Sequence, residues 1–199
     1  MYHKFDGIIF DMDGTLVDSG KLHELAWSQS LTYFGIPVDR PLMRSLAGVP
    51  TKETVEILIK TFGCTVDAAL SEINDYKERV VRENICRYVK PTRLHEIARE
   101  YHGVKPMAVG TGAYTEEART ILEACDLLGL VDFVVGADLV ANPKPAPDTF
   151  LKCAELMGVP PQNCVVFEDS QLGLRAAEAA GMTGVDVLET FAIENDYFL

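Results

Sequence analysis

The sequence has few basic residues and no framework of paired cysteines. Its 18 lysine and arginine residues face 30 aspartate and glutamate residues, which gives a formal net charge of −12. Because nucleic acids and anionic membranes bind basic protein surfaces, this charge argues against both as partners. The five cysteines are odd in number and scattered, without a CxxC pair, so neither a disulfide framework nor a zinc site is indicated. A reducing, cytoplasmic location fits this pattern.

Long apolar runs, internal repeats and low-complexity linkers are also missing. The apolar stretch within MYHKFDGIIF is too short for the core of a signal peptide and is interrupted by Asp6. No segment of the 199 residues approaches the length of a membrane span. A length of 199 residues suffices for one well-buried domain or for a domain plus a small insert, and an apolar content of 48% is typical of an ordinary globular protein. We expect a monomer.

The chain is organised around FDGIIFDMDGTLVD at residues 5–18. Gly7-Ile8-Ile9-Phe10 predicts a buried strand that ends abruptly in Asp11-Met12-Asp13-Gly14-Thr15. Residues two apart on an extended backbone point to the same side, so the Asp11 and Asp13 carboxylates would lie together at the end of the strand. Two like charges this close require either a metal ion or a shared proton. An ordinary Asp-Gly turn is the plain alternative.

The rest of the chain predicts an α/β fold interrupted by a block of helices. No convincing strand lies between residues 17 and 90, where the pattern is helical throughout. From Pro91 onward, short apolar strands at 107–109, 133–135, 165–167 and 184–187 alternate with helices. This alternation predicts right-handed crossovers and a parallel sheet. We therefore expect a core domain at residues 1–16 and 89–199 and a helical insert at residues 17–88.

Polar residues follow several of the predicted strands. Thr111 lies between two glycines, Glu168 and Asp169 follow a VVF strand, and Lys144 lies in a loop with three prolines. In a parallel sheet the carboxyl ends of the strands share one edge, so these groups can meet Asp11 there. The carboxylates form an all-oxygen set that suits magnesium. Taken singly, Thr111 also fits a plain strand–helix turn, and Glu168-Asp169 fits an acidic pair at a helix N-terminus.

Three residues of the helical insert are weaker candidates for a site. His23 and Trp27 are one helical turn apart, and His23 suits either a substrate contact or a histidine whose hydrogen bonds are satisfied within its own helix. Lys52 follows Gly48-Val49-Pro50-Thr51 and has the reach to contact a substrate, although an exposed helix lysine is the commoner case.

Together the motifs resemble those of the haloacid dehalogenase-like hydrolase superfamily. DMDGT at 11–15, Thr111, Lys144 within NPKPAPDTF, and EDS at 168–170 stand in the family's order and span nearly the whole chain. The helical insert resembles the small cap of the β-phosphoglucomutase-like branch. Within that branch, CVVFEDSQLGLRAAEAAGM resembles the bacterial fructose-1-phosphatase/6-phosphogluconate phosphatase type. The resemblance implies a Rossmann-like parallel sheet core with a small α-helical cap inserted after the first strand.

The resemblance also implies a reaction. Asp11 is expected to be the nucleophile that forms a phosphoaspartyl intermediate, and Asp13 the general acid and base. Asp11, the backbone carbonyl of Asp13, Asp169 and, directly or through water, Glu168 are expected to hold Mg2+. The expected activity is magnesium-dependent hydrolysis of a small sugar phosphate, with no nucleic acid or membrane partner.

The phosphoryl group and the sugar have separate implied contacts. Thr111, Gly112 and Lys144 are expected to bind the transferring phosphoryl oxygens. His23, Trp27 and Lys52 of the cap are the expected substrate contacts.

Two other functions are compatible with the resemblance. A hexose phosphate mutase is favoured by His23 and Trp27, which those mutases share, but Thr15 and Tyr114 stand where mutases carry an apolar residue and a lysine. A non-catalytic binding or regulatory protein of the same fold is expected to have lost the nucleophile, the lysine or a metal carboxylate. All of these residues are present, so the sequence favours hydrolysis.

Overall fold

The computed structural model describes residues 2–199, which divide into two compact units. The sheet unit contains the chain up to Asp18 together with Val89–Asn195, and the helical unit contains Ser19–Tyr88 and Asp196–Leu199. These bounds differ from the predicted insert of residues 17–88 at its start, and residues 196–199 are added to the helical unit from the end of the chain. Residues 17–18 stay with the sheet unit because they pair with a strand there, and residues 196–199 join the helical unit because two aromatic side chains pack in its core.

Four helices build the helical unit. They are α1 (Gly20–Tyr33), α2 (Arg40–Ser45), α3 (Thr51–Phe62) and α4 (Leu70–Tyr88). Apolar residues spaced three or four apart give each helix one face that packs inward, and Leu31, Leu58 and Ile73 are fully buried there. Tyr197 and Phe198 belong to the same apolar cluster, although the sequence assigned them no structure.

The strands of the sheet unit are short and apolar. In chain order they are β1 (Gly7–Phe10), β2 (Val17–Asp18), β3 (Lys90–Pro91), β4 (Met107–Gly110), β5 (Phe133–Val135), β6 (Cys164–Glu168) and β7 (Thr183–Asp186). β2 and β3 form a separate antiparallel pair of two residues each, which the sequence did not predict. The other five strands form one sheet in the order β5-β4-β1-β6-β7, and all of its pairs are parallel.

Five helices complete the sheet unit. They are α5 (His95–Tyr101), α6 (Thr115–Ala124), α7 (Asp148–Met157), α8 (Gln171–Ala179) and α9 (Val187–Phe191). Four of them, α6 to α9, each follow a strand of the parallel sheet, whereas α5 follows β3. The predicted α/β fold is confirmed, and the buried strands β1, β4 and β6 explain why their sequences are almost wholly apolar. Among residues 2–199, none of the helices combines the length and the apolar character that crossing a membrane requires.

The strand order locates the chemically important edge of the sheet. The chain runs outward from β1 to β4 and β5, and then returns to β6 on the other side of β1. This reversal makes the carboxyl ends of β1 and β6 a topological switch point, where parallel sheets bind ligands. Asp11 follows β1 and Asp169 follows β6, so the fold alone brings these two carboxylates to neighbouring strand ends.

Candidate active site

The turn after β1 fixes Asp11 at the edge of the sheet. Its backbone N–H donates to the Phe167 carbonyl at 2.9 Å, which extends the pairing of β1 with β6 by one residue. The chain then folds back, with the Val17 N–H donating to the Met12 carbonyl at 2.9 Å. Gly14 adopts φ of +80° in this turn, a left-handed conformation that glycine takes readily. Asp11 is only 6% exposed.

Lys144 reaches this carboxylate from the loop before α7. Its Nζ lies 2.6 Å from Asp11 Oδ1 and 2.7 Å from Glu168 Oε2, and its side chain is 10% exposed. The ammonium also lies 4.7 Å from the centre of the Phe150 ring, whose face attracts a cation. The structure therefore places the predicted lysine directly between two buried acidic side chains.

Hydrogen bonds occupy both carboxylate oxygens of Glu168. Oε2 accepts from Lys144, while Oε1 accepts from the Asp169 N–H at 3.1 Å and from both the N–H and the hydroxyl of Ser170 at 3.0 and 2.8 Å. Ser170 in turn caps α8 by accepting from the Gly173 N–H at 3.0 Å. Glu168 thus joins Lys144 to the loop that carries Asp169.

The acidic side chains of the site could hold a metal ion. Asp11, Glu168 and Asp169 each offer an oxygen within 4.8 Å of the other two, and all three lie in a buried or half-buried position. Three carboxylates face one ammonium, which leaves negative charge that a divalent cation would balance. The donor set consists entirely of oxygen atoms, the ligands that magnesium prefers. The residues present therefore fit Mg2+.

The pKa values reflect the same crowding of negative charge. Burial, followed by the charge of Glu168, raises the pKa of Asp11 to about 7, and Lys144 opposes this rise. Burial and the charges of Asp11 and Glu168 raise the pKa of Asp169 well above its ordinary value. Burial alone would lower the pKa of Lys144, but the two carboxylates beside it raise that pKa above the ordinary range. Lys144 therefore stays an ammonium ion near neutral pH.

Thr111 and Gly112 follow β4 at the same edge of the sheet. Thr111 is 2% exposed, its N–H donates to the Val135 carbonyl at 3.0 Å, and its hydroxyl accepts from the Ala113 N–H at 3.1 Å. Gly112 is exposed, with open space where a side chain would stand. Phosphoryl binding by these two residues stays a prediction.

The other predicted substrate contacts lie in the helical unit. His23 is half-buried in α1, and Lys52 is exposed in α3. Trp27 is 5% exposed and packs in the apolar cluster of this unit, with the Lys77 ammonium 5.4 Å from its ring centre. Most of the Trp27 ring therefore serves the core of the helical unit, and substrate contact by these three residues stays a prediction.

Sequence reasoning gave no role to two residues of the site. Ser170 holds Glu168 and caps α8, a role that a serine directly before a predicted helix could have suggested. Asn195 donates from Nδ2 to Asp169 Oδ2 at 2.7 Å, and no motif near it carried a signal. Both act on the acidic side chains rather than adding charge to them.

Gly173→Ala is expected to disturb the site through Glu168. A Cβ at this position would overlap the Glu168 carboxylate, so the methyl group must displace the partner of Lys144. We expect a loss of about 1–3 kcal/mol in the free energy of unfolding, measured in urea, despite the better helix propensity of alanine. Gly129→Ala is the control, since a Cβ there meets open space. Equal stability of the two variants would show that Glu168 adapts freely.

The chain shares its sequence pattern with a known protein family. A family model described as haloacid dehalogenase-like hydrolase matches residues 5–181, which include every predicted catalytic and metal-binding residue. The chain belongs to this family. The hydrolase fold and the resemblance stated from the motifs are thereby confirmed.

Individual relatives point to phosphate chemistry. Fructose-1-phosphate phosphatase YqaB of Escherichia coli is 43% identical over 94% of this chain and 98% of its own length. The β-phosphoglucomutase of Bacillus subtilis is 29% identical over 90% of this chain and 82% of its own length. The crystal structure of β-phosphoglucomutase from Clostridium difficile has a TM-score of 0.81 at 23% identity and covers 92% of this chain and 84% of that one, which supports the fold.

Proposed function

We propose that the protein is a magnesium-dependent phosphatase that hydrolyses small sugar phosphates through a phosphoaspartyl intermediate. The observation that carries this proposal is the buried Asp11 carboxylate, 2.6 Å from the Lys144 ammonium and within metal-sharing distance of Asp169. A buried carboxylate beside a fixed cation can act as a nucleophile toward a phosphoryl group once the negative charges of both are neutralised. The relationship to a fructose-1-phosphate phosphatase supports the same activity.

Asp11 and Asp13 divide the chemistry between them. An Asp11 oxygen attacks phosphorus as the bond to the sugar oxygen breaks, and Asp13 gives its proton to the departing alkoxide. Asp13 then removes a proton from water, whose oxygen attacks the phosphoaspartate and releases phosphate and the Asp11 carboxylate. Asp13 follows Asp11 by two residues, and its negative charge contributes to the raised pKa of Asp11. The two carboxylates therefore interact electrostatically.

Fixed positive charge must bring the anionic substrate to an acidic site. Lys144 is held by Glu168 and by the face of Phe150, so its ammonium is oriented before a phosphoryl group arrives. Thr111 and Gly112 are proposed to complete the phosphoryl contacts with a hydroxyl and backbone N–H groups. Because both Glu168 oxygens accept hydrogen bonds, we assign Glu168 the task of orienting Lys144 and place direct metal ligation with Asp11, Asp169 and the Asp13 carbonyl.

Mg2+ at these carboxylates would supply electrophilic charge that lets one anion attack another. In its absence the raised pKa values of Asp11 and Asp169 indicate that protons compete for the same oxygens. All five cysteines are free thiols, which agrees with the proposed reducing, cytoplasmic compartment.

A hexose phosphate mutase is the second candidate, because β-phosphoglucomutase is among the relatives. Thr15 was one argument against it, but the hydroxyl of Thr15 is buried and finds no hydrogen-bond partner among the described residues. This hydroxyl therefore gives no physical reason for hydrolysis over transfer. Tyr114 is exposed and stands where the mutases carry a lysine, so it remains an argument against a mutase.

Thr15→Val is accordingly expected to leave phosphate release unchanged. Replacing an unpartnered buried hydroxyl by a methyl group of the same shape removes a desolvation cost, so the free energy of unfolding should rise by about 1 kcal/mol. Urea denaturation and steady-state kinetics measure the two effects. A large loss of turnover would instead assign the hydroxyl a role in the reaction.

Phosphate release from a substrate panel tests the proposed function. The panel contains fructose 1-phosphate, 6-phosphogluconate and β-glucose 1-phosphate, each with Mg2+ and with a chelator, while formation of glucose 6-phosphate is followed in parallel. We expect magnesium-dependent phosphate release without isomerisation. Glucose 6-phosphate as the product would establish the mutase, and no turnover with any substrate would favour a binding protein.

A further inference from the structure

Asn195 lies outside the part of the chain that the family model describes. The match ends at residue 181, whereas Asn195 follows α9 and is the last residue of the sheet unit. Its contact with Asp169 is thus supplied by a segment that the shared family pattern does not include. The role of this residue therefore has to be argued from its own contacts and not from the motifs considered so far.

The Asn195 amide lies against two parts of the site at once. Nδ2 donates to Asp169 Oδ2 at 2.7 Å, and a Cβ added at Gly14 would overlap both this nitrogen and that oxygen. The amide and the carboxylate therefore pack directly on the turn that follows the nucleophile. Only a residue without a side chain fits at position 14, so the close contact is built into the turn.

The segment before Asn195 is anchored within the sheet unit. The Asp186 carboxylate caps α9 by accepting from the Leu188 and Glu189 N–H groups at 2.9 and 3.1 Å. Because the backbone is held on this side, the amide loses less freedom when it binds Asp169 than it would at the end of a mobile segment.

The chemistry of an amide suits this position. A lysine would neutralise Asp169 and repel a cation, whereas a carboxamide donates a hydrogen bond and leaves the full negative charge in place. Donation to one carboxylate oxygen also fixes the rotation of the group, as partners of metal-binding carboxylates commonly do. Lys144 binds Asp11 and Glu168, so the ammonium and the amide divide the acidic side chains between them.

We propose that Asn195 is a positioning residue that orients the Asp169 carboxylate for a divalent cation. This inference rests on the proposed function, because it assumes that Asp169 holds Mg2+. It assigns to residues beyond the family match a direct part in building the metal site. Asn195 itself touches neither substrate nor reacting atoms.

Two substitutions separate the hydrogen bond from simple space filling. Asn195→Leu keeps nearly the same side-chain shape but has no hydrogen-bond donor. Asn195→Ala removes both the donor and most of the side-chain volume. Calorimetric titration with Mg2+ in the absence of substrate measures the metal affinity, and kinetics at varied Mg2+ gives the activation constant and kcat. We expect both variants to bind Mg2+ about 10-fold or more weakly, with kcat at saturating Mg2+ within about 3-fold of the wild type.

Asn163→Ala is the matched control. Asn163 Nδ2 donates to Asp6 Oδ2 at 2.8 Å, so this variant removes the same kind of amide–carboxylate bond at an exposed position. It is expected to bind Mg2+ like the wild type. Unchanged Mg2+ affinity in Asn195→Leu would overturn the inference, as would the unfolding of both Asn195 variants, which would make the residue purely structural. Failure of the wild type itself to bind Mg2+ would instead reject the metal requirement of the proposed function.

Discussion

Asp11→Asn is expected to abolish phosphate release while leaving the protein folded. A carboxamide has the shape of the carboxylate but is not a nucleophile toward phosphorus, so kcat should fall by at least about 1,000-fold. Stability should not fall. Because the pKa of Asp11 is raised from 3.8 to about 7, the folded state loses stability as the pH rises between these values, and the loss is complete at pH 8, where the neutral amide avoids it. Lys144 keeps Glu168 as a partner.

Steady-state kinetics and urea denaturation at pH 8 measure the two parts of this prediction. Asp6→Asn is the control, since Asp6 is exposed and its carboxylate accepts a hydrogen bond from the Asn163 amide at 2.8 Å instead of binding Lys144. That variant should retain activity. Turnover by Asp11→Asn at a rate comparable to the wild type would remove Asp11 from the reaction and with it the proposed covalent intermediate.

Lys144→Met is expected to damage both stability and activity. The apolar side chain leaves Asp11 and Glu168 buried without their shared cation, and loss of one member of a buried ion pair costs about 3–5 kcal/mol of unfolding free energy. The same change removes the fixed positive charge that meets the phosphoryl group, so kcat/KM should fall by about 100- to 1,000-fold. Urea denaturation and kinetics at saturating Mg2+ provide the two readouts.

Lys152→Met is the matched control for this change. Lys152 pairs with Glu155 at 2.9 Å on the surface, with side chains 35% and 67% exposed, and exposed pairs contribute little to stability. Adding Glu168→Gln to Lys144→Met should recover part of the lost stability, because it removes one orphaned charge. A Lys144→Met protein as stable as the control variant would contradict the view that the ammonium balances the buried carboxylates.

Much of the site can be predicted from the sequence because strands and helices alternate regularly in the sheet unit. Apolar runs that end in glycine or charged residues locate β1 and β5 with their observed bounds. Parallel strands place their carboxyl ends along one edge, so Asp11, Glu168 and Asp169 must approach one another. The position of the Lys144 side chain was harder to predict, because it lies in a loop and not at the end of a strand. Only the structure shows that its ammonium lies between two carboxylates.

The remaining features depend on contacts that leave no pattern in the sequence. Asn195 lies in a segment without periodicity, and only tertiary packing brings its amide to Asp169. Tyr197 and Phe198 lie in a tail whose sequence has no recognisable pattern, yet they pack in the core of the helical unit. The burial of Trp27 was likewise hidden, because a tryptophan one helical turn from a histidine fits a binding site and a core equally well.

Chemical trapping of the enzyme during turnover tests the central claim most directly. The enzyme is mixed with fructose 1-phosphate and Mg2+, quenched in acid within the first turnover, reduced with borohydride and analysed by peptide mass spectrometry. A phosphoaspartate would be reduced to homoserine, and we expect this change at Asp11. Rapid phosphate release with no modification at Asp11, or with the modification at another carboxylate, would contradict the proposed mechanism.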